Sequence, residues 1–381
     1  MQAVLLANGV GSQLRPLTDT IPEPLLLVEL EPALDVMIRR LEATGIQEIV
    51  VFDRGCSREL GALVQNRRYR AWVQVLPQPQ FAGDAGLLKQ IESLIHGTFV
   101  VGSVNAVFAL DLRPLIEAHF RSSALVTVAS LRTPMQPSDT AVHLAKDGEV
   151  WPVSGPAEVT RLMEAGVYIM DPRVLSSIPM QRSYTIASDL IPRLVTEGEQ
   201  VFAAALEARW GGLESLESYL ECQRWFLRQD HVDGFIHPSA AVAPGVQLKP
   251  PYFIGPSVHV EDRAIIGPDA VLGGEAVVGA ASEISDSIIY RGVSIGKRCS
   301  IRHSIVAPEA SLYDDVTLEP NVIVGAGVNI SSRTVLRAGT RIAIETSSGE
   351  LYRSVNREVA INGGEMKTMI ASETAPSAHA R

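Results

Sequence analysis

The sequence predicts an α/β domain followed by a parallel β-helix, and three observations indicate this fold class. Strand-like and helix-like segments alternate up to about residue 230, and a Gly-x-Gly turn follows the first strand-like segment. Beyond residue 235, aliphatic residues recur every six positions. Alternating strands and helices are typical of a sheet flanked by helices. A period of six fits neither a helix face nor an alternating strand, and it is typical of a solenoid with three short strands in each coil.

The elements of the α/β region follow from apolar runs and helical spacing. The expected strands are Ala3 to Ala7, Ile49 to Phe52, Val73 to Leu76, Phe99 to Val101 and Ala124 to Ser130, and the expected helices are Ala33 to Thr44 and Arg113 to Phe120. Because helix-length segments separate the strands, we expect a parallel sheet. Ligands of such sheets bind at the carboxyl ends of the strands, where Gly9 to Arg15 would lie.

The period-six region predicts which side chains fill the solenoid. One aliphatic residue per short strand is expected to point inward, and the phase slips twice, before Ile289 and before Val306. The inward residues are Ile236, Val242, Leu248, Ile254, Val260, Ile266, Leu272, Val278, Ile284, Ile289, Ile295, Ile301, Val306, Leu312, Leu318, Val324, Ile330, Leu336 and Ile342. The unpatterned stretch after Asn362 is expected to be a frayed tail.

Composition excludes several classes of protein. The chain has 381 residues, a hydrophobic fraction of 46% and a net charge of -10. Binding to nucleic acid or to an anionic membrane surface is therefore not expected. The three cysteines, Cys56, Cys222 and Cys299, form no CxxC pair, so neither a zinc site nor a disulfide framework is predicted. With no secretion signal and no apolar run near the ~18 residues of a membrane span, a reducing cytoplasm is the predicted location.

The turn after the first strand has the chemistry of a phosphate loop. Glycines let backbone N–H groups approach a phosphate closely, and Gly9 and Gly11 follow an apolar strand. Leu14 stands where the dinucleotide fingerprint needs its third glycine, and the P-loop pattern is absent. A Gly-x-Gly pair alone is more typical of a plain surface turn.

The order of several motifs resembles a known family. Over residues 1 to about 345, the chain resembles the sugar-1-phosphate nucleotidyltransferases, or nucleotide-sugar pyrophosphorylases, and among them the GDP-mannose pyrophosphorylase-like branch with a C-terminal left-handed β-helix. The motifs that carry the resemblance are GVGSQLRPLT (9–18), Pro22-Glu23-Pro24, Gly83-Asp84-Ala85-Gly86, Ala165-Gly166-Val167-Tyr168, and Trp210-Gly211-Gly212 followed by Tyr219-Leu220. The resemblance implies a Rossmann-like nucleotidyltransferase domain over residues 1–230, a left-handed hexapeptide β-helix over 231–345, and an extension with a disordered tail over 346–381.

The resemblance also implies a reaction and a binding site. A sugar 1-phosphate attacks the α-phosphorus of a nucleoside triphosphate, pyrophosphate leaves, and Mg²⁺ with cationic side chains stabilises the charge. The nucleotide or sugar phosphate would contact Leu6, Asn8, Gly9, Gly11, Ser12, Arg15, Gly83, Asp84, Gly86, Glu164 and Gly166. Arg15 is the one loop cation left, and it is either a phosphate contact or a surface salt-bridge partner.

Five positions depart from the family pattern in the groups that perform the chemistry. Asn105 stands where the family has a metal-binding aspartate, and Gly212 stands where it has the second metal carboxylate. Gln13, Glu23 and Gly155 stand where the family has a phosphate-loop arginine and two lysines. Losing one transition-state donor commonly costs about 3 to 4 kcal/mol, so the combined losses should leave little chemistry. No confident catalytic residue or metal ligand is assigned.

Two other sets of residues could carry chemistry in place of the missing groups. Asp84 and Asp111 are candidate replacement carboxylates, although Asp111 is equally explained as a helix N-cap. Hexapeptide β-helices also build acyltransferases with a histidine base, and His237, His259 and His303 lie in the repeat. A lone histidine on a solenoid face is more typical of a solvated surface position.

Two functional hypotheses therefore stand. The better supported is a catalytically silent relative that binds a nucleotide or nucleotide sugar and serves as a regulatory or scaffold subunit, in an oligomer or beside an active pyrophosphorylase paralogue. The alternative is an active nucleotidyltransferase with rebuilt Mg²⁺ binding. In neither case is a membrane or nucleic-acid partner expected.

Overall fold

The structure is a computed structural model in which the contacts divide the chain into two compact units. It describes residues 1–7, 11–28, 30–53, 55–78, 83–104, 112–131, 141–144, 150–151, 160–180, 183–206 and 212–344. The α/β unit consists of Met1–Gly9, Glu23–Leu25 and Pro32–Gly212. The β-helix unit consists of Val10–Pro22, Leu26–Glu31 and the described chain from Leu213 onward. The division at residue 230 made from the sequence stays a prediction.

The strands and helices of the first part of the chain alternate as predicted. The strands are β1 (Gln2–Ala7), β2 (Leu27–Val28), β3 (Glu31–Pro32), β4 (Glu48–Asp53), β5 (Trp72–Pro77), β6 (Phe99–Ser103), β7 (Val126–Leu131), β8 (Ala141–Leu144), β9 (Val150–Trp151), β10 (Thr160–Met170) and β11 (Val201–Leu206). The helices are α1 (Ala33–Ala43), α2 (Ser57–Asn66), α3 (Gly83–Gln90), α4 (Leu112–Ser122), α5 (Ile191–Thr196) and α6 (Leu216–Asp230). Within the described ranges, no helix is long and apolar enough to cross a bilayer.

The main sheet is mixed: the five strands named from the sequence run in one direction, whereas β9 and β10, which were not named, run the opposite way. Its order is β11-β7-β10-β6-β1-β4-β5. Strand β1 runs parallel to β4 and β6, whereas β10 runs antiparallel to both β6 and β7. The stretch between β7 and β10 supplies the short strands β8 and β9, and β8 pairs antiparallel with both β9 and β10. Antiparallel neighbours need no crossover helix, so the helix-alternation rule fails here.

Apolar periodicity explains how the helices pack on this sheet. Leu34, Met37, Ile38 and Leu41 are fully buried on α1. Their spacing of three and four places them on one face of the helix. Charged residues such as Arg40 lie outside this apolar face of the helix. The predicted helix from Ala33 is therefore confirmed to within one residue.

The period-six region forms three parallel sheets, which confirms the predicted β-helix. One sheet has seven strands and the other two have six each. The strands are β12 (Phe235–Ile236), β13 (Ala241–Val242), β14 (Gln247–Leu248), β15 (Tyr252–Ile254), β16 (His259–Val260), β17 (Ile265–Ile266), β18 (Ala270–Leu272), β19 (Val277–Val278), β20 (Glu283–Ser285), β21 (Ser287–Ile289), β22 (Ser294–Ile295), β23 (Ser300–Arg302), β24 (Ile305–Val306), β25 (Ser311–Leu312), β26 (Thr317–Leu318), β27 (Ile323–Val324), β28 (Asn329–Ile330), β29 (Val335–Leu336) and β30 (Arg341–Ile342). The predicted inward residues from Ile254 to Leu336 are buried, whereas Val242, Leu248 and Ile342 in the end coils are half-buried. Ile236 is 39% exposed, so its predicted inward position was wrong.

The corners of the coils explain both phase slips of the sequence. From Ser257 onward each corner has a residue with positive φ, and these corner residues follow one another at intervals of six, except for intervals of five from Ala281 to Asp286 and from Arg298 to His303. The two short intervals coincide with the slips before Ile289 and Val306. Coils that contain a short corner pair residues 17 positions apart, such as Ile284 with Ile301, instead of 18, such as Ile254 with Leu272. The slips therefore shorten a corner and leave the stacking of the strands intact.

Helix α6 belongs to the β-helix unit and pairs with one corner of successive coils. Ser215 caps the helix, and its side chain accepts a hydrogen bond from the Ser218 N–H. Three pairs then follow the helix: Arg228 with Asp269 at 3.2 Å, Arg224 with Asp286 at 3.0 Å, and Glu217 with His303 at 2.8 Å. Asp269, Asp286 and His303 occupy the same corner in successive coils, and His303 also contacts Asp286 at 2.5 Å. The two arginine–aspartate ion pairs and the His303 contacts fix the register of α6 on the solenoid.

Removing one inward side chain should destabilise the β-helix far more than removing an outward one. Ile295 is 1% exposed and points inward, whereas Val277 on the same sheet is 40% exposed. We expect Ile295→Ala to lower the free energy of unfolding by about 2 to 5 kcal/mol, because it leaves a cavity between coils. Val277→Ala should change it by less than about 0.5 kcal/mol. Urea unfolding of the two variants measures the difference, and equal effects would contradict the assignment of inward residues.

Candidate functional site

The carboxyl ends of three neighbouring strands meet at one edge of the α/β sheet. Leu6 pairs with Ser103 of β6 and with Phe52 of β4, and the Val104 N–H donates to the Leu6 carbonyl at 3.1 Å. Leu6 is 5% exposed, so its side chain belongs to the core. The chain leaves β1 and β6 side by side at this edge, which is where parallel sheets bind their ligands.

The Thr18 side chain and the Leu14 N–H hold the glycine turn of the predicted phosphate loop. Gly11 has φ of 55°, and a Cβ there would lie 2.5 Å from the Cγ2 atom of Thr18. The Thr18 hydroxyl donates to the Gly11 carbonyl at 2.6 Å, and the Leu14 N–H donates to the same carbonyl at 2.9 Å. The sequence prediction that this position requires glycine agrees with this geometry. The hydroxyl of Thr18 keeps the turn closed without a ligand.

The cation of this loop is already paired. Arg15 lies 3.3 Å from the Asp19 carboxylate, one helical turn later, and the side chains are 35% and 29% exposed. Ser12 and Gln13 are exposed in the 3-10 turn Ser12–Leu14. The arrangement supports the salt-bridge interpretation of Arg15. A phosphate would have to compete with Asp19 for the guanidinium group.

A second predicted loop, Gly83 to Gly86, opens α3 in the α/β unit. Gly83 has φ of 66°, and a Cβ at this position would lie 2.4 Å from the Tyr184 carbonyl oxygen. The Gly86 N–H donates to that same carbonyl at 3.1 Å. The backbone of Tyr184 therefore occupies the space that the two glycines leave. The Gly86 N–H already donates this hydrogen bond and would have to exchange it in order to bind a nucleotide.

The side chain of Asp84 also fixes this loop, through two hydrogen bonds. Its Oδ1 atom accepts hydrogen bonds from the Ala85 N–H at 2.8 Å and from the Ile186 N–H at 2.7 Å. Burial raises the pKa of Asp84, although the backbone N–H groups act in the opposite direction, and the Asp189 carboxylate raises it further. A buried carboxyl that joins two chain segments acts as a structural clamp. This placement does not favour Asp84 as a replacement metal ligand.

The third predicted loop, Ala165 to Tyr168, lies within strand β10, where the pairing of the strand is irregular. Its pairing with β7 shifts between Glu164 and Tyr168, and Gly166 within this interval has φ of 63°. Opposite Glu164 lies Ser130, whose buried hydroxyl has no hydrogen-bond partner among the described residues. Such bulges redirect a strand near ligand sites. Gly166 is therefore needed for the backbone conformation, as its motif suggested.

Three of the five positions that depart from the family pattern are described: Gln13 is exposed, whereas Glu23 and Gly212 are buried. Glu23 is 4% exposed in the 3-10 turn Glu23–Leu25, which packs against α1. Gly212 is buried as well and has no side chain that could reach a metal. A buried acidic residue offers no positive charge at a position where the resemblance implies a lysine. Neither residue can supply the group that it replaces.

Several predicted positions lie outside the described residues. They are Asn8, Gly9, Asn105, Asp111 and Gly155, together with the tail after residue 345. The assignments made for them stay predictions.

Asp53 was missed by the sequence analysis. It ends β4 at the same edge of the sheet, is 1% exposed, and accepts hydrogen bonds from the N–H groups of Gly55 and Cys56 and from the Cys56 thiol. Burial and the neighbouring carboxylate raise the pKa of the Cys56 thiol, which makes it a poor nucleophile. The sequence signal was an aspartate after an apolar strand with a glycine two residues later, which is typical of an Asx turn.

The histidines of the β-helix show no acyltransferase arrangement. His303 contacts Glu217 and Asp286, and His237 contacts the Ser239 hydroxyl at 2.8 Å in the first coil. His259 is exposed on β16. The three side chains thus have separate surroundings and share no site. Their contacts are those of surface and packing residues.

The described residues do not fit a magnesium ion. Mg²⁺ prefers carboxylate oxygens with space for its water ligands. Asp84 and Asp53 accept backbone hydrogen bonds, and Gly212 has no side chain. Across the part of the chain that the structure describes, no group of three His, Cys, Asp or Glu residues could hold a metal ion. No catalytic step is therefore assigned to a metal.

The fold defines a class of protein: a nucleotidyltransferase-type α/β domain followed by a left-handed β-helix. The family model "Nucleotidyl transferase" matches residues 2–229, and the model "EIF2B subunit epsilon LbH domain" matches residues 234–336. The chain therefore belongs to the sugar-1-phosphate nucleotidyltransferase family and has a C-terminal left-handed β-helix.

Curated relatives differ in the sugar and base that their names give. A UTP–glucose-1-phosphate uridylyltransferase of Synechocystis is 26% identical over 65% of this chain and 68% of that protein. A glucose-1-phosphate adenylyltransferase of Desulfitobacterium hafniense is 22% identical over 89% of both chains. A mannose-1-phosphate guanylyltransferase of Mycobacterium tuberculosis is 25% identical over 65% of this chain and 73% of that protein. This spread leaves the base and the sugar open.

A solved structure supports the fold of the α/β part. The crystal structure of HddC from Yersinia pseudotuberculosis has a TM-score of 0.51 and 18% sequence identity, and the match covers 59% of this chain and 99% of that one. At this identity, the likeness concerns the fold alone.

Adding one methyl group at Gly83 should disturb the second loop. A non-glycine residue at this positive φ costs about 1 to 3 kcal/mol before any collision with Tyr184 is counted. We expect Gly83→Ala to lower the free energy of unfolding by at least that amount. Gly97→Ala is the matched control, because a Cβ at Gly97 meets no atom within 4 Å. Thermal unfolding compares the two, and an unchanged melting temperature for Gly83→Ala would contradict the described packing of the loop.

Proposed function

We propose that this chain is a catalytically silent member of its family that binds a nucleotide sugar and serves as a regulatory or scaffold subunit. The observation that carries the proposal is Glu23, a buried carboxylate where the family resemblance implies a phosphate-binding lysine. This replacement removes the positive charge that the resemblance implies beside the triphosphate.

The remaining described groups support the same proposal. Arg15 is paired with Asp19, and Gly212 offers no oxygen to a metal. Phosphoryl transfer depends almost entirely on positioning and on electrostatic stabilisation of the developing charge. Among the residues that the structure describes, the site has neither a metal carboxylate nor an unshared loop arginine, so these residues do not supply the means for this reaction.

The charge balance also favours one kind of ligand over another. A nucleoside triphosphate carries more negative charge than the two-phosphate diester of a nucleotide sugar. Because Glu23 opposes negative charge and Arg15 is shared with Asp19, the more weakly charged ligand is favoured. We therefore propose the nucleotide sugar, which is the family's product, as the ligand.

The second candidate is an active nucleotidyltransferase that makes a nucleotide sugar. The observation in its favour is the preserved geometry of the glycine turns at Gly11, Gly83 and Gly166, all with positive φ. Asn105 and Asp111 lie outside the described residues and are the positions from which a rebuilt Mg²⁺ site would have to come.

We propose an oligomer, with the same chain or with an active pyrophosphorylase paralogue, as the working form. Support comes from the outward residues of the sheet that contains β13 and β19, none of which is Asp, Glu, Lys or Arg. They are Ala241, His259, Val277, Ser294, Ser311 and Asn329. All but Ser311 are exposed, and Ser311 is half-buried. Charge-depleted surfaces are typical of the cores of protein interfaces.

An assay of pyrophosphate release separates the two candidates. The purified chain is given Mg²⁺, a panel of nucleoside triphosphates, and glucose or mannose 1-phosphate. We expect no turnover above background and a rise in melting temperature with a nucleotide sugar, since a ligand at 100 times its Kd stabilises by about 2.7 kcal/mol. Turnover near one per second would contradict the silent assignment.

Restoring the family's charged groups provides the matched gain-of-function test. The variant carries Gln13→Arg, Glu23→Lys, Asn105→Asp, Gly155→Lys and Gly212→Asp together. We expect measurable pyrophosphate release from this variant and none from Gly212→Asp alone, because the groups act as a unit.

A further inference from the structure

Two N-terminal segments belong to the β-helix unit, although about two hundred residues separate them from it in sequence. They are the loop segment, Val10–Pro22, and the strap, Leu26–Glu31. The loop segment contains Gly11 and Arg15 of the predicted phosphate loop. The question is what holds these segments on the solenoid and what this attachment does.

The backbone of Leu27 in the strap is held by three side chains. Its carbonyl accepts hydrogen bonds from the Tyr219 hydroxyl at 2.6 Å and from the Gln223 amide, both on α6. Its N–H lies 3.5 Å from the hydroxyl of Tyr290, the residue that follows β21. The two hydroxyls are joined to each other at 2.7 Å. Every polar group of this cluster has a partner in the same unit.

The cluster is buried, which makes it costly to break. Tyr219 is 0% exposed and Tyr290 is 1% exposed. Burial raises the pKa of both phenols, so both stay neutral and keep their protons for these hydrogen bonds. A buried donor or acceptor that loses its partner carries a desolvation penalty, so the strap cannot leave its place cheaply.

Two glycines of the solenoid provide room for the N-terminal segments. A Cβ at Gly325 would lie 3.1 Å from the Cγ atom of Pro16 in the loop segment. A Cβ at Gly255 would lie 2.6 Å from the Cδ1 atom of Leu30 in the strap. Both glycines are buried and follow strands of the same seven-stranded sheet. Pro16 is bonded directly to Arg15, so the loop touches the solenoid beside its cation.

We propose that the β-helix positions the anion-binding loop, with Tyr219, Tyr290 and Gln223 as positioning residues that act through the strap. This inference rests on the proposed function insofar as the loop binds phosphate. Because the loop and the solenoid form one packed unit, ligand binding at Gly11 to Arg15 stabilises the strap, and fixing the strap favours binding. The solenoid thus serves the ligand site besides any role in oligomerisation.

Hydrogen exchange on the full chain tests the proposal first without a ligand. The variant is the double substitution Tyr219→Phe and Tyr290→Phe, and the control is Tyr313→Phe, because Tyr313 is 55% exposed on the same solenoid. We expect the loop segment to exchange about tenfold faster in the double variant and at an unchanged rate in the control. Unchanged exchange of the loop in a folded double variant would overturn the proposal.

A second arm adds GDP-mannose, UDP-glucose or ADP-glucose as the probe. In the wild-type chain, we expect the bound probe to slow exchange in the strap and around Tyr290, and this effect should be lost in the double variant. A purely structural role would change stability without this ligand-dependent protection. Binding of a probe without any protection of the strap would overturn the proposal.

The two hypotheses fail in different ways in this experiment. If the wild-type chain binds none of the probes, the proposed function fails, while the first arm still decides whether the solenoid positions the loop. If the double variant does not fold, Gly325→Ala replaces it, since its methyl group would press on Pro16. Faster exchange of the loop segment is expected there too, and an unchanged rate would overturn the proposal.

Discussion

The hydrogen bonds on the backbone of Leu27 are the constraint on which the β-helix unit depends. Tyr219 comes from α6 and Tyr290 comes from the solenoid, and both hold a strap from the beginning of the chain. Because these groups are buried, they are satisfied only when all three parts are in place. The charge pairs of α6 with Asp269, Asp286 and His303 fix the same helix from its outer side. The loop segment is thereby built into a rigid solenoid instead of lying free at the surface.

The shape of the ligand loops does not require a ligand. Thr18 closes the turn at Gly11, Tyr184 fills the space beside Gly83, and Asp84 fastens the second loop to Ile186. Each of these contacts is internal to the protein, so the form of the loops does not depend on the charged groups that the family resemblance implies. The glycine positions are therefore compatible with the proposal that Glu23 and Gly212 replace a cation and a carboxylate. Binding and chemistry are separable in such a site.

Local patterns predicted much of this fold, and long-range contacts account for what they missed. The period of six identified the β-helix and its inward residues, because each coil repeats the same local demand. The two slips were visible, but their cause, short corners at Asp286 and His303, required the structure. The antiparallel β10 was missed, and its direction depends on its pairing partners rather than on local sequence. Among site residues, the need for glycine was predictable from the motifs, whereas the clamp role of Asp84 depends on Ile186, about a hundred residues away.

The most direct test of the central claim, that the site binds without catalysing, is calorimetric titration with nucleotide sugars and nucleoside triphosphates, with and without Mg²⁺. A site without metal ligands should bind a nucleotide sugar with the same Kd in both conditions. It should bind the triphosphate at least about tenfold more weakly, because Glu23 and the Asp19-paired Arg15 disfavour the extra charge. Binding of the triphosphate that requires Mg²⁺ and is followed by the heat of turnover on addition of a sugar 1-phosphate would contradict the account.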